Sequence, residues 1–591
     1  MFCVAALAGE ADCAIAQVGA AGGDTAVIVA EPGDVRGRAR AAQARFEGAR
    51  ERYFPLAFAP GGRSCDEVVG RLCVWYGEGE WIPVPEPDGA RALRRELLAE
   101  LDSLQQLAPG DGWILGQRVW YRGEGGEWAA ALAAARTCGP VEPWWCSALE
   151  GLALHGLGRV PEAEAAFERA LALMDPEQAV RWRVPDYVLD DDARSWLRAL
   201  EREGVAELER GLERLWLLAD PLYLVEGNDR LTAHYARWTV ATLREGARSP
   251  FRLRWGSDLE ELVVRHGWEI GWERSWGRQL GSPFEVTGHK HPDAREYMPS
   301  GRALALPAAT GSHAFIADGR VPRSLHAPSY APVLLPMEGQ VAFFPRGERV
   351  AVVGTAFLPE DTSFHANHDH PRPWMEPGDQ EGLADRVGLF VMPLDGGAAI
   401  ERRAFGSTEG ALLVEVARGA YVVSVESWSP ARRRAGRMRF GVEHRRAPPE
   451  VATLSDLLLL HGQRGTPASL EAALPAALPR AEARAKEPLA VAWEVSGLGL
   501  RPERLGFTIS VKRLDRSVFR RLWELLGLRA RTPALALSWE EPGPAHPVHH
   551  FRHVDLDLGD LEPGRYEITL SLATVGRTEA VTRRTLRIVA P

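Results

Sequence analysis

Three imidazoles and a carboxylate fall within one short run, Phe364-His365-Ala366-Asn367-His368-Asp369-His370-Pro371. Imidazole with carboxylate is a donor set that suits zinc, copper or nickel. A metal also needs its ligands fixed in space, and here prolines flank the histidines while no helical or strand periodicity surrounds them. His365, His368 and His370 are therefore the leading metal candidates, but a surface loop explains them and no metal is assigned. His289 and His291 flank Lys290, and His546, His549, His550 and His553 enter a strand-like run whose alternate side chains face opposite ways. Asp555, Asp557 and Asp560 alternate as calcium ligands do, yet Val554, Leu556 and Leu558 between them describe a strand, and the distal Glu of a complete calcium loop is missing.

The densest basic stretch, ARRRAGRMRFGVEHRR over 431–446, could hold phosphate or acidic sugar through its guanidinium groups. Its place between two strand-like runs favours a solvated hairpin edge guarded by charge. The chain holds no G-x-S-x-G elbow, no H-E-x-x-H, no Walker A loop and no G-x-G-x-x-G after a strand. No cofactor is implied, and the expectation leans away from an enzyme, although a site assembled from distant residues leaves no trace in a motif search.

The elements that would position such residues belong to a chain of 591 residues, enough for about three to five domains. A net charge of −10, without a long run of one sign, argues against a nucleic-acid partner. No apolar run is long enough for a membrane span. At the N-terminus, Ala14-Ile15-Ala16 before Gln17 fits the small-x-small cleavage rule, so residues 1–16 read as a truncated export signal without its charged start. Beyond it remain Cys65, Cys73, Cys138 and Cys146, an even set that allows three pairings. Neither close pair can bridge within one straight helix, where eight residues rise about 12 Å.

Residues 36–53 read as a helix. In WCSALEGLALHGLGRVPEAEAAFERALALMDP, the residues Gly151, Leu154, Ala163, Phe167 and Ala170 fall at the spacings of a tetratricopeptide repeat, whose small residues let two helices approach. Trp113, Gly116, Leu132 and Ala135 echo it upstream. Helical patterning with acidic helix starts resumes at Asp190. After about residue 300 the texture changes to short alternating runs punctuated by Gly and Pro, the pattern of a β-sandwich. Residues 448–486 read as a connector, and a second β-domain with an immunoglobulin-like Pro563-Gly564-Arg565-Tyr566 turn follows, interrupted by a helix around residue 522.

One block carries a family likeness. Asp220-Pro221 opens it, Asn228, Arg230, Tyr235 and Arg237 follow, and then come Trp255, Gly256, Ser257 and Asp258, with Leu262, Val263, Val264, Arg265 and Gly267 after them. This resembles the GWxTD family of bacterial envelope proteins, with Arg254 in place of the first Gly and Ser257 in place of Thr. The family has no agreed activity. The likeness implies a strand at LEELVVRHG, and Trp255, Ser257, Asp258, Arg265 and Gly267 are expected to be structural: the Trp buried, the Ser or Asp bonded to backbone amides.

The expected architecture is a multidomain α+β chain. It comprises a helical tetratricopeptide-like domain over 17–189, a GWxTD-like block over 190–299, a β-sandwich over 300–447, the connector over 448–486, and an immunoglobulin-like sandwich over 487–591. The expected function is an exported bacterial cell-envelope scaffold or adaptor that binds protein partners through its helical half. The competing expectation is a carbohydrate-binding protein or hydrolase whose site is the His365 loop and Trp-lined clefts, with Trp144, Trp145, Trp255, Trp268, Trp272 and Trp276 as stacking surfaces.

Overall fold

The computed structural model describes residues 32–56, 65–76, 84–276, 284–311, 321–358, 383–444, 452–462, 467–498, 503–514, 535–546, 549–559 and 561–590. The histidine loop at 365–370, the N-terminal run 1–16 and the helix expected near residue 522 lie outside the described residues. The chain is a mixed α+β protein with helices in the first half and strands in the second.

The helical half begins with α1 (Pro32–Arg50), a hairpin of β1 (Glu67–Val69) and β2 (Leu72–Val74), and α2 (Asp88–Leu107). Then come α3 (Gly112–Glu124), α4 (Trp128–Ala135), α5 (Pro143–Gly156), α6 (Val160–Leu173) and α7 (Pro176–Arg183), followed by α8 (Asp191–Glu203), α9 (Val205–Ala219), α10 (Asp229–Arg244) and α11 (Ser257–His266). Side chains at the starts satisfy otherwise orphaned amides: Asp111 accepts from the Trp113 and Ile114 amides, Asp190 from Ala193, and Asn228 from Leu231. The α5–α6 pair closes because Gly151 has no side chain; a Cβ there would stand 2.7 Å from the Phe167 ring, which is fully buried. Trp128 fills the neighbouring gap, lying against Gly123 of α3 and Gly156 of α5.

The run LEELVVRHG is helix, not the strand expected. Its valines favour strands, but Leu259, Leu262, Val263 and His266 repeat at helical spacing and are all buried, so one packed face overrides propensity. Gly267, at φ 79°, ends the helix. After β3 (Gly271–Trp276), β4 (Phe284–His289) and α12 (Gly301–Ala305), residues that were expected to open a β-domain still belong to the helices, since Ala303 and Leu304 sit in the helical core.

The first β-unit therefore starts at β5 (Val333–Pro336), continues with β6 (Val341–Arg346), β7 (Arg349–Phe357), β8 (Arg386–Pro393) and β9 (Ile400–Phe405), and ends with β10 (Glu409–Ala417), β11 (Ala420–Ser429) and β12 (Arg434–Glu443). Sheet β5-β12-β11-β8-β9 faces sheet β10-β7-β6 across a core of Val352, Leu389, Val414, Val423 and Val425. The outer face of the larger sheet is covered too: Phe390, Trp428 and Ala435 pack on Leu222, Tyr223 and Leu224 of the helical half. That double burial explains why β11 is buried along nearly its whole length.

The second β-unit begins earlier than residue 487. In the expected connector, β13 (Thr453–Leu454) and β14 (Leu458–His461) precede α13 (Leu470–Ala473) and β15 (Glu482–Arg484). They pair with the strands that follow: β16 (Leu489–Ser496), β17 (Arg504–Arg513), β18 (Leu535–Pro542), β19 (His550–Leu556), β20 (Gly564–Thr574) and β21 (Ala580–Val589). β13, β14 and β19 join β16, while β15-β21-β20-β17-β18 form the opposing sheet around Trp493, Phe507 and Leu570. Gln340 ties the two β-units together, donating to the carbonyls of Leu459 (3.0 Å) and Leu478 (2.6 Å).

Candidate functional site

The family-like block forms the centre of the helical half, and its polar side chains meet a hairpin far away in the chain. Cys65 is bonded to Cys73 across that hairpin and Cys138 to Cys146, with Cα separations of 5.4 and 5.8 Å. At the hairpin tip Gly70 takes φ 55°, and a Cβ there would collide with Asp258 at 2.5 Å. Asp258 accepts from Arg71 Nε (2.6 Å), Arg71 Nη2 (2.7 Å), the Arg71 amide (3.1 Å) and the Leu259 amide (2.9 Å). Hydrogen bonding from Arg71 holds this carboxyl well below the usual range. Two turns on, Arg265 grips both oxygens of Glu67 at 2.9 and 2.8 Å, and the Tyr76 hydroxyl donates to Glu67 at 2.6 Å while lying 3.2 Å from His266 Nε2. Trp255 is half-buried where full burial was expected, and Ser257 is exposed at the start of α11. Gly267 gives its carbonyl to Lys290 Nζ (2.5 Å).

A second polar group is buried at the start of α10. Asp229 accepts from His326 Nε2 at 2.7 Å, with His155 Nδ1 3.8 Å from its other oxygen and 3.0 Å from the Thr232 hydroxyl. Arg230 donates to Ser324 (3.2 Å), whose hydroxyl and amide both donate to Glu296. Burial pushes His326 down to about 4 despite the Asp229 charge, so the imidazole is neutral near pH 7. Carboxylate, imidazole and hydroxyl are the types that do acid–base chemistry, but Asp229, Ser324 and His326 are buried and close-packed, and sequence reasoning singled out none of the three. Such a network locks the loop at 324–326 onto α10.

An open feature of the helical half is a groove of about 380 Å³ between α7, α8, α9, α10 and α11, near the lower end of the range for ligand sites. Val184, Pro185, Tyr187, Leu197, Leu208 and Val264 give it apolar walls, and Arg181, Arg198, Asp186 and Glu201 stand around it. His234 and Trp238 of α10, four residues apart on one helix face, complete the lining. Trp238 is stacked on by Trp182 (6.3 Å between centroids) and Tyr187 (5.9 Å). The signal that could have found this groove is the spacing of His234 and Trp238; no motif marks it.

The remaining candidates fall into structural roles. His289 Nε2 lies 3.1 Å from Glu273 across β3–β4, and Lys290 also binds Glu269 at 2.7 Å. Asp555 and Asp557 are exposed with Leu556 and Leu558 buried between them, and Asp557 accepts from the Gly559 amide. No cluster of His, Cys, Asp or Glu suited to a metal exists among the described residues. The basic stretch departs from the solvated edge expected: Arg437 and Arg439 are buried, donating to the backbone carbonyls of Leu218, Asp220 and Pro221, and Arg439 lies 3.9 Å from the Tyr223 ring centroid. Of the six tryptophans considered for sugar stacking, Trp276 is exposed, Trp144, Trp255, Trp268 and Trp272 are half-buried, and Trp145 is buried. No helix among the described residues is long and apolar enough to cross a membrane.

No family model matches the chain, and no curated protein matches it. Among solved structures, red sea bream transglutaminase aligns at 10% identity over 43% of this chain and 31% of its own, with a TM-score of 0.14. The FN1–FN3 domains of chicken CNTN1 align at 11% identity over 42% of this chain and 69% of theirs, with a TM-score of 0.13. At these TM-scores neither likeness bears on what the chain does.

Proposed function

We propose that this chain is an exported bacterial cell-envelope adaptor of the GWxTD type, which engages protein partners through its helical half and performs no catalysis. In this reading α3–α4 and α5–α6 are tetratricopeptide-like pairs, and the two β-units are immunoglobulin-like sandwiches that serve as platforms. The observation that carries the reading is the half-open groove between α7 and α11, bordered by side chains from five helices. Two further features support it. The residues of the family-like motif are engaged in folding contacts, Asp258 with Arg71 and Arg265 with Glu67. Two disulfides suit an oxidising compartment.

Affinity capture of the full chain from its native envelope, with cross-linking and mass spectrometry, tests the reading. Partner cross-links are expected on residues 84–276. Cross-links confined to residues 333–590 would reverse the assignment of binding surface and platform. Deleting residues 110–176 is unsuited to the purpose, because α3–α6 carry much of the helical core. Non-reducing peptide mapping of the same sample tests export: linked peptides 65–73 and 138–146 are expected, and four free thiols would contradict it.

A further inference from the structure

The ribbon of β1 and β2 is tied to the rest of the chain in one place. Among the described residues, every side-chain hydrogen bond that leaves it ends within residues 254–266: Arg71 on Asp258 and the Arg254 carbonyl, Glu67 on Arg265, and Tyr76 on His266. The apolar part of the joint is a cluster of three buried side chains, Leu72 with Leu259 and Leu262. Its anchors come from different parts of the ribbon, Glu67 from β1, Arg71 from the turn, Leu72 from β2 and Tyr76 beyond it. They meet α11 together only while the ribbon keeps its shape. Each strand has three residues, and a two-stranded ribbon is marginal in water.

The Cys65–Cys73 bond supplies the missing order. Cys73 pairs with Val68 in the ladder, so its bond to Cys65 draws the chain before β1 back onto β2. Both cysteines are half-buried, which leaves part of the pair at the surface for an attacking thiolate. The Cys138–Cys146 bond has another setting. It spans the link between α4 and α5, whose buried faces already belong to the helical core.

We propose that Cys65–Cys73 is a redox latch on α11: oxidised, it keeps the ribbon docked, and reduced by a dithiol, it lets the ribbon leave and uncovers the face of Leu259 and Leu262. A thiolate of the dithiol attacks one sulfur, breaking the S–S bond and forming a mixed disulfide, and its second thiolate then attacks that bond. The reductant leaves as a disulfide, and two electrons and two protons end on Cys65 and Cys73. Opening a link between residues eight apart returns chain freedom to the undocked ribbon, so the undocked population should rise roughly 50- to 100-fold.

Hydrogen exchange with mass spectrometry on full-length Cys138→Ser/Cys146→Ser tests this, because dithiothreitol then has one of the two bonds left to open. Reduction under native conditions should speed exchange in residues 65–76 by roughly 50- to 100-fold, with a smaller rise at residues 257–266 and none in α3–α6. Reoxidation should reverse it. Full-length Cys65→Ser/Cys73→Ser should show the same rise without reductant. If a variant does not fold, the other decides together with reduced wild type, in which thiol labelling shows that the 65–73 bond has opened. Three results overturn the proposal: a bond that dithiothreitol opens only once the chain unfolds, unchanged exchange in residues 65–76, or a rise spread over the whole helical half, which would make the bond a staple of the fold.

Discussion

Arg71 and Asp258 lie 187 residues apart and meet in a two-pronged ion pair, with Nε 2.6 Å from Oδ2 and Nη2 2.7 Å from Oδ1. The pair joins the tip of the disulfide-closed hairpin to the first turn of α11. Asp258 thus does more than stabilise its own helix start: it fixes where the hairpin sits. Arg265 repeats the device at the hairpin's first strand.

Asp258→Asn should lower stability, and its effect should depend on pH in a defined way. The folded-state carboxyl titrates below its unfolded value, so its contribution is complete above about pH 4 and is lost as pH falls through the depressed folded value. The difference between wild type and variant in urea titrations should be constant from pH 5 to 8 and shrink in strong acid. A difference that grows as pH falls would contradict the assignment.

Arg265→Ala should be far more damaging. Its side chain is 1% exposed and bidentate with Glu67, so truncation leaves a carboxylate without its main partner; a loss of roughly 3 to 5 kcal/mol is expected. Arg265→Lys should recover only part of this, since an ammonium cannot reproduce the fork. Thermal unfolding of both variants, with limited proteolysis at the hairpin, provides the measurement.

Asp220 gives the opposite pH signature. Burial raises its carboxyl to about 8, against the opposing pull of Arg439, at the junction between the helices and the first β-unit. The folded state therefore holds a proton that the unfolded chain releases near pH 4, and stability declines as pH rises from about 4 to about 8. Asp220→Asn keeps an oxygen for the Leu222 amide, which donates at 3.0 Å in the wild type. The variant should gain stability relative to wild type as pH rises from 5 to 9. A constant difference across that range would show that Asp220 stays charged.

Gly151→Ala tests the close approach of α5 and α6. Alanine improves helix propensity by roughly 0.5 to 1 kcal/mol, but its methyl would press on the fully buried Phe167 ring, and overpacking costs about 1 to 3 kcal/mol. A net loss in melting temperature is expected. A gain would mean that the ring can move aside.

Helices with one apolar face were legible from the residues alone. Phe167 and the small residues around it announced the α5–α6 pair, and Asp190 announced α8, because spacing and capping act over a few residues. Alternation likewise marked the strands of both β-units. Where two local signals conflicted, at LEELVVRHG, tertiary packing decided: its valines favoured a strand, and the buried stripe of Leu259, Leu262, Val263 and His266 made a helix.

Partnerships across the chain had no local signal. Nothing near Arg439 indicates that it will bind carbonyls of Leu218 and Asp220, more than 200 residues earlier, and so a stretch that reads as a solvated hairpin is half interface. Cys65 could have paired with any of three cysteines until the hairpin brought Cys73 within reach. The groove of His234 and Trp238 exists only because α7, α8, α9 and α11 converge on α10. Backbone preference and periodicity act between neighbours, whereas burial, ion pairing and cavities depend on which distant surfaces meet, and that is decided by packing the whole core at once.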